Sequence, residues 1–299
     1  MEHEYELIRH TALRHISIFV NDIRYRNVHF HRELELILVL SGSGSVRIGE
    51  ENYPAETEAL FLVNSNESHS FHSPDSRLLC LIIQISSGFL RDAVPEFRDL
   101  AFRSGPVPDP EGRLRARIRE TALVFLRQGD LYGLRTVAGI ADLLVRLADA
   151  LPHGIEPETS KSADRLTRMR AWADYIDEHA ETGVTLEDLG KAEGLSSTYL
   201  SHLFRAYFGI RFQEYLSNVR FEKALALAAD PSLSVYDLAL TAGFSDPKYL
   251  NDRFRKQFGC TVKQYRKQQD AALSGNTSNP SASAESRYTR EEALALLSV

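Results

Sequence analysis

Thr185–Gly209 reads TLEDLGKAEGLSSTYLSHLFRAYFG, and Ser234–Gly259 reads SVYDLALTAGFSDPKYLNDRFRKQFG. With one gap at Pro247, Leu189 falls on Leu238, Gly194 on Gly243, Tyr199 on Tyr249, Leu200 on Leu250, Phe204 on Phe254 and Phe208 on Phe258. Each copy has the layout of a helix-turn-helix: a short helix, a turn carrying glycine, then a second helix opening on Ser or Asp. Leu186, Leu189, Leu195, Leu200, Leu203 and Phe204 are the expected first core; Val235, Leu238, Phe244, Leu250, Phe254 and Phe258 are the second. Two such units in one chain can each place a helix in a major groove, which makes double-stranded DNA the leading partner.

The faces left over after core assignment are the candidate DNA surface. On the first recognition helix these are Ser197, Thr198, Ser201, His202 and Arg205; on the second, Asp246, Lys248, Asn251, Asp252, Arg255 and Lys256. An Asn amide can bond adenine with both ends, whereas Lys, Arg and His reach guanine or phosphate. Asp252 would take a cytosine amino group or pair internally with Arg253 or Lys256. Phe212, Tyr215, Leu216 and Val219 recur at helical spacing and predict one long helix to about Ala228 between the units.

Net charge is −6 over 299 residues, unusual for a DNA binder taken globally. The segment 248–267 is the exception, with Lys248, Arg253, Arg255, Lys256, Lys263, Arg266 and Lys267 against Asp252 alone. A basic end on an otherwise balanced domain fits phosphate contact by one face. Cys80 and Cys260 are the only cysteines, so neither a disulfide framework nor a cysteine zinc site is indicated. The charged N-terminus lacks a signal-peptide apolar region, and the longest apolar runs are strand-length. A cytoplasmic protein without a membrane partner is expected.

The GLSSTYLSHLFRAYFG stretch, followed by NVRFEKALAL and AGFSDPKYLNDRFRKQFGCTVKQYR, resembles the DNA-binding domain of AraC/XylS-type transcription regulators over roughly residues 165–267. The resemblance implies two helix-turn-helix units joined by a linker helix, with Thr198, Ser201, His202, Lys248, Asn251 and Asp252 matching base-facing positions. Arg205 and Arg255 match positions nearer the backbone.

Upstream, residues 1–112 carry short β-rich runs (16–20, 34–40, 45–48, 59–63, 78–85) separated by turn signals, the pattern of a sandwich or small barrel. His29-Phe-His31-x3-Glu35-x6-Gly42 puts two imidazoles on one side of a strand and a carboxylate close behind, and His69 can complete the set. Such donors suit a divalent metal. The pattern resembles the first motif of the cupin barrel. Its second motif is degraded, with Glu58-Ala59 where Gly-Asp is usual. AraC-type regulators with cupin-like N-terminal domains imply a pocket for a small-molecule effector, a sugar being the favoured class, with His29, His31, Glu35 and His69 at its mouth. A metal-dependent cupin enzyme fused to a DNA-binding domain is the alternative. The degraded motif opposes it, so no catalytic residues and no fixed cofactor are assigned; a divalent metal at His29, His31, Glu35 and His69 stays open.

The expected class is α+β multidomain. It comprises a cupin-like barrel (1–112), a helix pair suited to homodimerisation (113–151), a linker (152–163), an all-α double helix-turn-helix (164–270) and a flexible tail with a short terminal helix (271–299). In the helix pair, Leu114, Ile118, Ala122 and Phe125 share one face, as do Leu134, Ala138, Ala141, Val145 and Ala148. Between Leu273 and Ser286 the tail lacks apolar residues to fold, while Thr289 and Glu292 form a capping box ahead of Ala293–Leu297. RNA polymerase is a further partner if the protein activates.

Overall fold

The computed structural model describes the chain apart from residues 1–3, 7, 9, 11, 14, 74–76, 87–88, 90–101, 153–160, 192–193, 229, 231, 272–283 and 299. The chain divides into two units, one of residues 1–157 together with 276–299, the other of residues 158–275. Most of the expected linker and the stretch 272–283 of the expected tail lie outside the described residues.

The first unit is a rolled sheet with helices on one face. Its strands are β1 (Glu4–Tyr5), β2 (Ile16–Phe30), β3 (Glu33–Ser41), β4 (Ser43–Ile48), β5 (Glu51–Glu56), β6 (Leu60–Val63), β7 (His69–His72), β8 (Leu78–Ser86) and β9 (Gly105–Pro106). They run in the order β5-β4-β7-β2-β8-β3-β6-β9. β2 is far longer than the run 16–20 suggests. It pairs with β8 over Ile16–Ile23 and with β7 from Tyr25 to His29.

The period-two alternation of a strand sorts side chains to two cores. On β3, Leu34, Leu36 and Leu38 face the helices, with Ile16, Ile18 and Val20 of β2 and Leu81, Ile83 and Ile85 of β8. Ile37 and Val39 face the other way, into a second core with Ile23, Val46, Phe61, Phe71 and Ile82. A strand buried on both faces reads as a near-continuous apolar run, as ELELILVLS does.

The helices are α1 (Arg113–Arg127) and α2 (Tyr132–Ala150). Leu114, Ile118, Ala122 and Phe125 of α1 are buried against the sheet. They pack so tightly on α2 that a Cβ at Gly139 would lie 2.6 Å from Thr121 Oγ1. On α2 the buried face is Thr136, Gly139, Ile140, Leu143, Leu144 and Leu147. Of the stripe read from the sequence, Leu134, Ala138, Ala141 and Val145 form a second apolar face exposed to solvent, while Ala148 is half-buried against the unit's own core.

The tail differs from expectation in part. Ala284–Arg287 forms β10, antiparallel to Asn21–Tyr25 of β2, and Arg290–Leu297 forms α10. Thr289 and Glu292 make the reciprocal capping box. Ala293 is buried in the core shared by β2, α1 and α2, with Tyr288, Leu294 and Leu297 packed beside it. Few apolar residues suffice here because the sheet supplies the backbone partners. The Tyr288 N–H, for example, donates to the Val20 carbonyl at 3.0 Å.

The second unit is helical: α3 (Lys161–His179), α4 (Leu186–Lys191), α5 (Ser197–Phe208), α6 (Phe212–Ala228), α7 (Val235–Thr241), α8 (Pro247–Phe258) and α9 (Val262–Ala271). The α4–α5 and α7–α8 pairs are the two copies of the repeat. Gly243 holds the second turn at φ 87°, where a Cβ would strike the Ala180 carbonyl oxygen at 2.6 Å, so only glycine fits.

Candidate functional site

In the second unit, aromatic packing fixes where the two second helices project. Phe204 and Phe208 of α5 stack at 4.4 Å and meet Phe212 and Tyr215 of α6. Phe254 of α8 meets Phe221 of α6 at 5.1 Å and Tyr265 of α9 at 5.1 Å. One helix, α6, thus lends aromatic side chains to both copies. Ser196 caps α5 through the Tyr199 N–H, and Asp246 caps α8 through the Lys248 N–H, as helix starts prefer.

With Leu200 and Phe204 buried, Ser197, Thr198, Ser201, His202 and Arg205 are all exposed along α5. On α8, Lys248, Asp252, Arg255 and Lys256 are exposed. Asp252 pairs with Arg255 at 2.9 Å rather than with Arg253 or Lys256. Asn251 is placed differently. Its Nδ2 donates to the Pro247 carbonyl at 3.1 Å, and its Oδ1 accepts from the Val262 N–H at 3.1 Å. These two bonds give Asn251 a structural role at the start of α9, and they leave one N–H and one oxygen lone pair of the amide unused.

Two members of the basic end are likewise internal. Arg253 donates to Asn218 Oδ1 at 2.6 Å, and Arg266 donates to the carbonyls of Ala228 and Leu233. Lys248, Arg255, Lys256, Lys263 and Lys267 remain exposed. Sequence spacing did not separate these roles, because both kinds of residue lie on the same helices.

In the first unit, β2, the turn after it, β3 and β7 bring His29, His31, Glu35 and His69 together. His29 and His69 are register partners, as are Glu35 and Gln84. All four residues of the set are buried, inside the barrel wall and not at an open mouth. His31 Nε2 donates to Glu35 Oε2 at 3.0 Å, and Gln84 Nε2 donates to the same oxygen at 2.7 Å. His69 Nε2 lies 3.4 Å from Glu35 Oε1. Gln84 was not among the expected residues, although a lone Gln in the apolar run LLCLIIQIS is a readable signal of a buried polar partner.

Tautomers follow from the backbone. His29 Nδ1 donates to the Asn27 carbonyl at 2.8 Å and His69 Nδ1 to the Glu67 carbonyl at 3.1 Å. A neutral imidazole bonded in this way keeps its Nε2 lone pair, so the lone pair of His29 is left for the cluster. His69 Nε2 is buried and has no hydrogen-bond partner. Such an atom costs about 1–3 kcal/mol unless a donor or cation satisfies it.

Burial, then the charges of His69 and Arg26, push His29 well below its usual range and keep it neutral. For His31, burial acts downward, but the Glu35 charge and hydrogen bond outweigh it and raise the imidazole to about 9. Glu35 is held well below the carboxylate range by His31 and His69 in spite of its burial. The cluster therefore holds an imidazolium–carboxylate pair with the neutral His29 imidazole beside it. Candidate ligand atoms of His29, His31 and His69 lie within 4.8 Å of one another. Together with Glu35 they form a set of the nitrogen and carboxylate type that suits a divalent ion, with the distal Nδ1–H groups anchored as metal-binding histidines require.

Comparison with known proteins places both halves. Residues 14–168 match the model of the AraC-like ligand binding domain, and residues 189–268 match a helix-turn-helix domain. The HTH-type transcriptional activator RhaS of Klebsiella pneumoniae is 26% identical over 82% of this chain and 89% of its own. The HTH-type transcriptional regulator YijO of Escherichia coli is 34% identical over 47% of this chain and 48% of its own, so the match spans about half of that relative. ToxT of Vibrio cholerae aligns over 85% of this chain and 98% of its own, at 13% identity and a TM-score of 0.44. RhaS and YijO are transcription regulators, and neither supports the enzyme alternative. Among the described residues no helix is long and apolar enough to cross a membrane.

Glu35→Gln should destabilise the first unit by about 3–5 kcal/mol, because it strands the buried His31 charge. The raised His31 pKa makes its share of the pair's stability full below pH 6.5 and lost as pH rises through about 9. The depressed Glu35 pKa makes its share full above 4.5 and lost at lower pH. Denaturant unfolding in the presence of chelator should show the largest gap between wild type and variant from pH 4.5 to 6.5. A gap that grows toward pH 9 would overturn the pairing.

With a ligand-binding model matched over more than half of its length and a helix-turn-helix model matched over its repeat, the chain belongs to the AraC family of DNA-binding transcription regulators.

Proposed function

We propose that this regulator reads DNA through the exposed faces of α5 and α8, works as a homodimer, and responds to a small polar metabolite held at His29, His31, Glu35 and His69. The observation that carries the effector reading is the buried, unsatisfied His69 Nε2 beside the Glu35 carboxylate. The cluster's titrating pair is internally neutral, and its spare atoms are of both kinds, the His29 Nε2 lone pair as acceptor and the His31 Nδ1–H as donor. Such surroundings favour a neutral ligand rich in hydroxyl donors over an acid, which supports a sugar.

The same lone pairs fit a divalent ion, so metal is the second reading, with His29, His31, His69 and Glu35 as its holders. Thermal unfolding of the full chain against neutral sugars, with and without chelator, separates the two. A ligand at 100 times its Kd should stabilise by about 2.7 kcal/mol. A shift indifferent to chelator supports the sugar reading; a shift abolished by chelator supports the metal. Acids that shift the midpoint where sugars do not would sink the neutral-ligand argument.

For DNA, Ser197, Thr198, Ser201 and His202 on α5, with Lys248 on α8, stand as base-facing positions, and Arg205, Arg255 and Lys256 as anchors. Asp252 is held off the bases by Arg255. His202→Ala should cost on the order of 1–3 kcal/mol on the true site and relax one base preference. Lys256→Ala should weaken all sequences alike and flatten the salt dependence. If the two variants behave identically on specific and random DNA, the division into readers and anchors fails. Action on DNA places the protein in the cytoplasm, and activation would add RNA polymerase as a partner.

The dimer reading rests on α2. Leu131, Leu134, Ala138, Ala141 and Val145 are spaced alternately three and four residues apart, the repeat of a coiled-coil seam. Leu131 and Leu134 are each 67% exposed and Val145 is 54% exposed. A second copy of the same seam covers it by two-fold symmetry. Val145→Arg should yield monomers in sedimentation velocity with an unchanged circular dichroism spectrum. A wild-type chain that sediments as a monomer at all concentrations would refute this.

A further inference from the structure

The terminal segment is fastened to the barrel at a place that also touches the histidine cluster. Arg26 of β2 is buried and meets three carboxylates. Glu4 lies at 3.7 Å and Glu6 at 2.9 Å on the N-terminal side, and Glu285 of β10 lies at 3.4 Å. Glu285 also accepts from Asn21 Nδ2 at 2.8 Å. The Glu6 oxygen that holds Arg26, Oε2, is the one that lies 3.3 Å from His29 Nε2. Beyond Glu285, the Arg287 guanidinium stacks on the Phe19 ring at 3.7 Å, and Arg290 donates to Gln128 Oε1 at 2.7 Å.

We propose that residues 284–297 form a strap whose grip on the barrel reports occupancy of the histidine cluster, through the relay His29–Glu6–Arg26–Glu285. This inference rests on the effector reading above and names how that site is coupled to the DNA-binding unit. The sign follows from the shared oxygen. His29 donates through Nδ1 to Asn27, so its Nε2 lone pair and Glu6 Oε2 are two acceptors facing each other. Any hydroxyl donor or cation seated on Nε2 is attracted by Glu6 as well and draws that carboxylate away from Arg26. Arg26 then turns to Glu285, which competes with Glu6 for it.

Burial and the Glu6 charge raise the Glu285 carboxyl, and Arg26 draws it down. An occupied cluster therefore tightens the strap, and an empty one loosens it. Residues 158–275 lie between the two segments of the first unit. A tight strap ties that unit to the sensor through both of its ends; a loose one leaves a single attachment.

Hydrogen exchange in the full chain, read at the amides of Glu285–Arg287 and Tyr288, tests the relay. Glu6→Gln mimics the withdrawal of the carboxylate charge and should slow exchange there by about threefold, the scale of one partly exposed ion pair. Glu285→Gln should speed it by a similar factor, and Glu6→Gln added to Glu285→Gln should have no further effect. The relay is overturned if Glu6→Gln leaves these amides unchanged or quickens them, or if its effect persists when Glu285 is already replaced.

Zn(II) alone then probes the cluster. Slowed tail exchange in wild type but not in the Glu6→Gln chain extends the relay to the site, and Zn(II) bound without any change in the tail overturns that link. Failure of Zn(II) and of every sugar to bind would instead count against the effector reading, while the mutational cycle judges the relay by itself.

Discussion

The backbone of β2 is the constraint on which the sensor depends. Few strands of this length leave their polar groups to one partner, and β2 divides its residues among four. β8 takes Ile16–Ile23, β7 runs from Tyr25 to His29, β10 lies along Asn21–Tyr25 and β1 along His29–Phe30. Because buried N–H and C=O groups must be paired, each of those segments is needed to complete the strand. The same strand carries Arg26 and His29 three residues apart, so the pairing that builds the sheet also builds the polar core. Barrel architecture and ligand chemistry are not separable here.

A comparable economy holds in the helical unit. α6 sends Phe212 and Tyr215 to the first repeat and Phe221 to the second, so the two recognition helices share one support. Arg220 and Lys223 of the same helix donate to the carbonyls of Ala180 and Asp177. This satisfies helix-end groups that would otherwise be exposed. Cations that look like phosphate contacts in a sequence are often spent this way, as Arg253 and Arg266 are.

Much of this was legible in the sequence, for physical reasons that differ by element. The repeat was readable because two copies of one core require the same residues at the same spacing. The histidine cluster was readable because strand periodicity fixes which side chains share a side. Its burial was not, since nothing local tells a barrel's rim from its interior. The bonds of Asn251 to the backbone were not legible, because a recognition-helix amide and a capping amide have identical local patterns and only the approach of α9 reveals the second role. The apolar stripe on α2 was read as part of a dimerising helix pair, whereas the face of α2 buried in the first unit was missed, because that helix is apolar on two faces and spacing cannot rank them. The tail was the largest omission. Its sheet partner lies some 260 residues away in the chain, as the pairing of Glu285 with Asn21 shows, and its short strand has no apolar pattern of its own.

The discontinuity of the first unit has a consequence for how the protein is born. During synthesis residues 158–275 emerge before residues 284–297, and domains fold as they emerge. The helix-turn-helix pair is therefore complete while the barrel still lacks β10 and α10, with Arg26 short of one of its carboxylates. In order of emergence, the repeat of each newly made copy precedes the strand that completes its barrel.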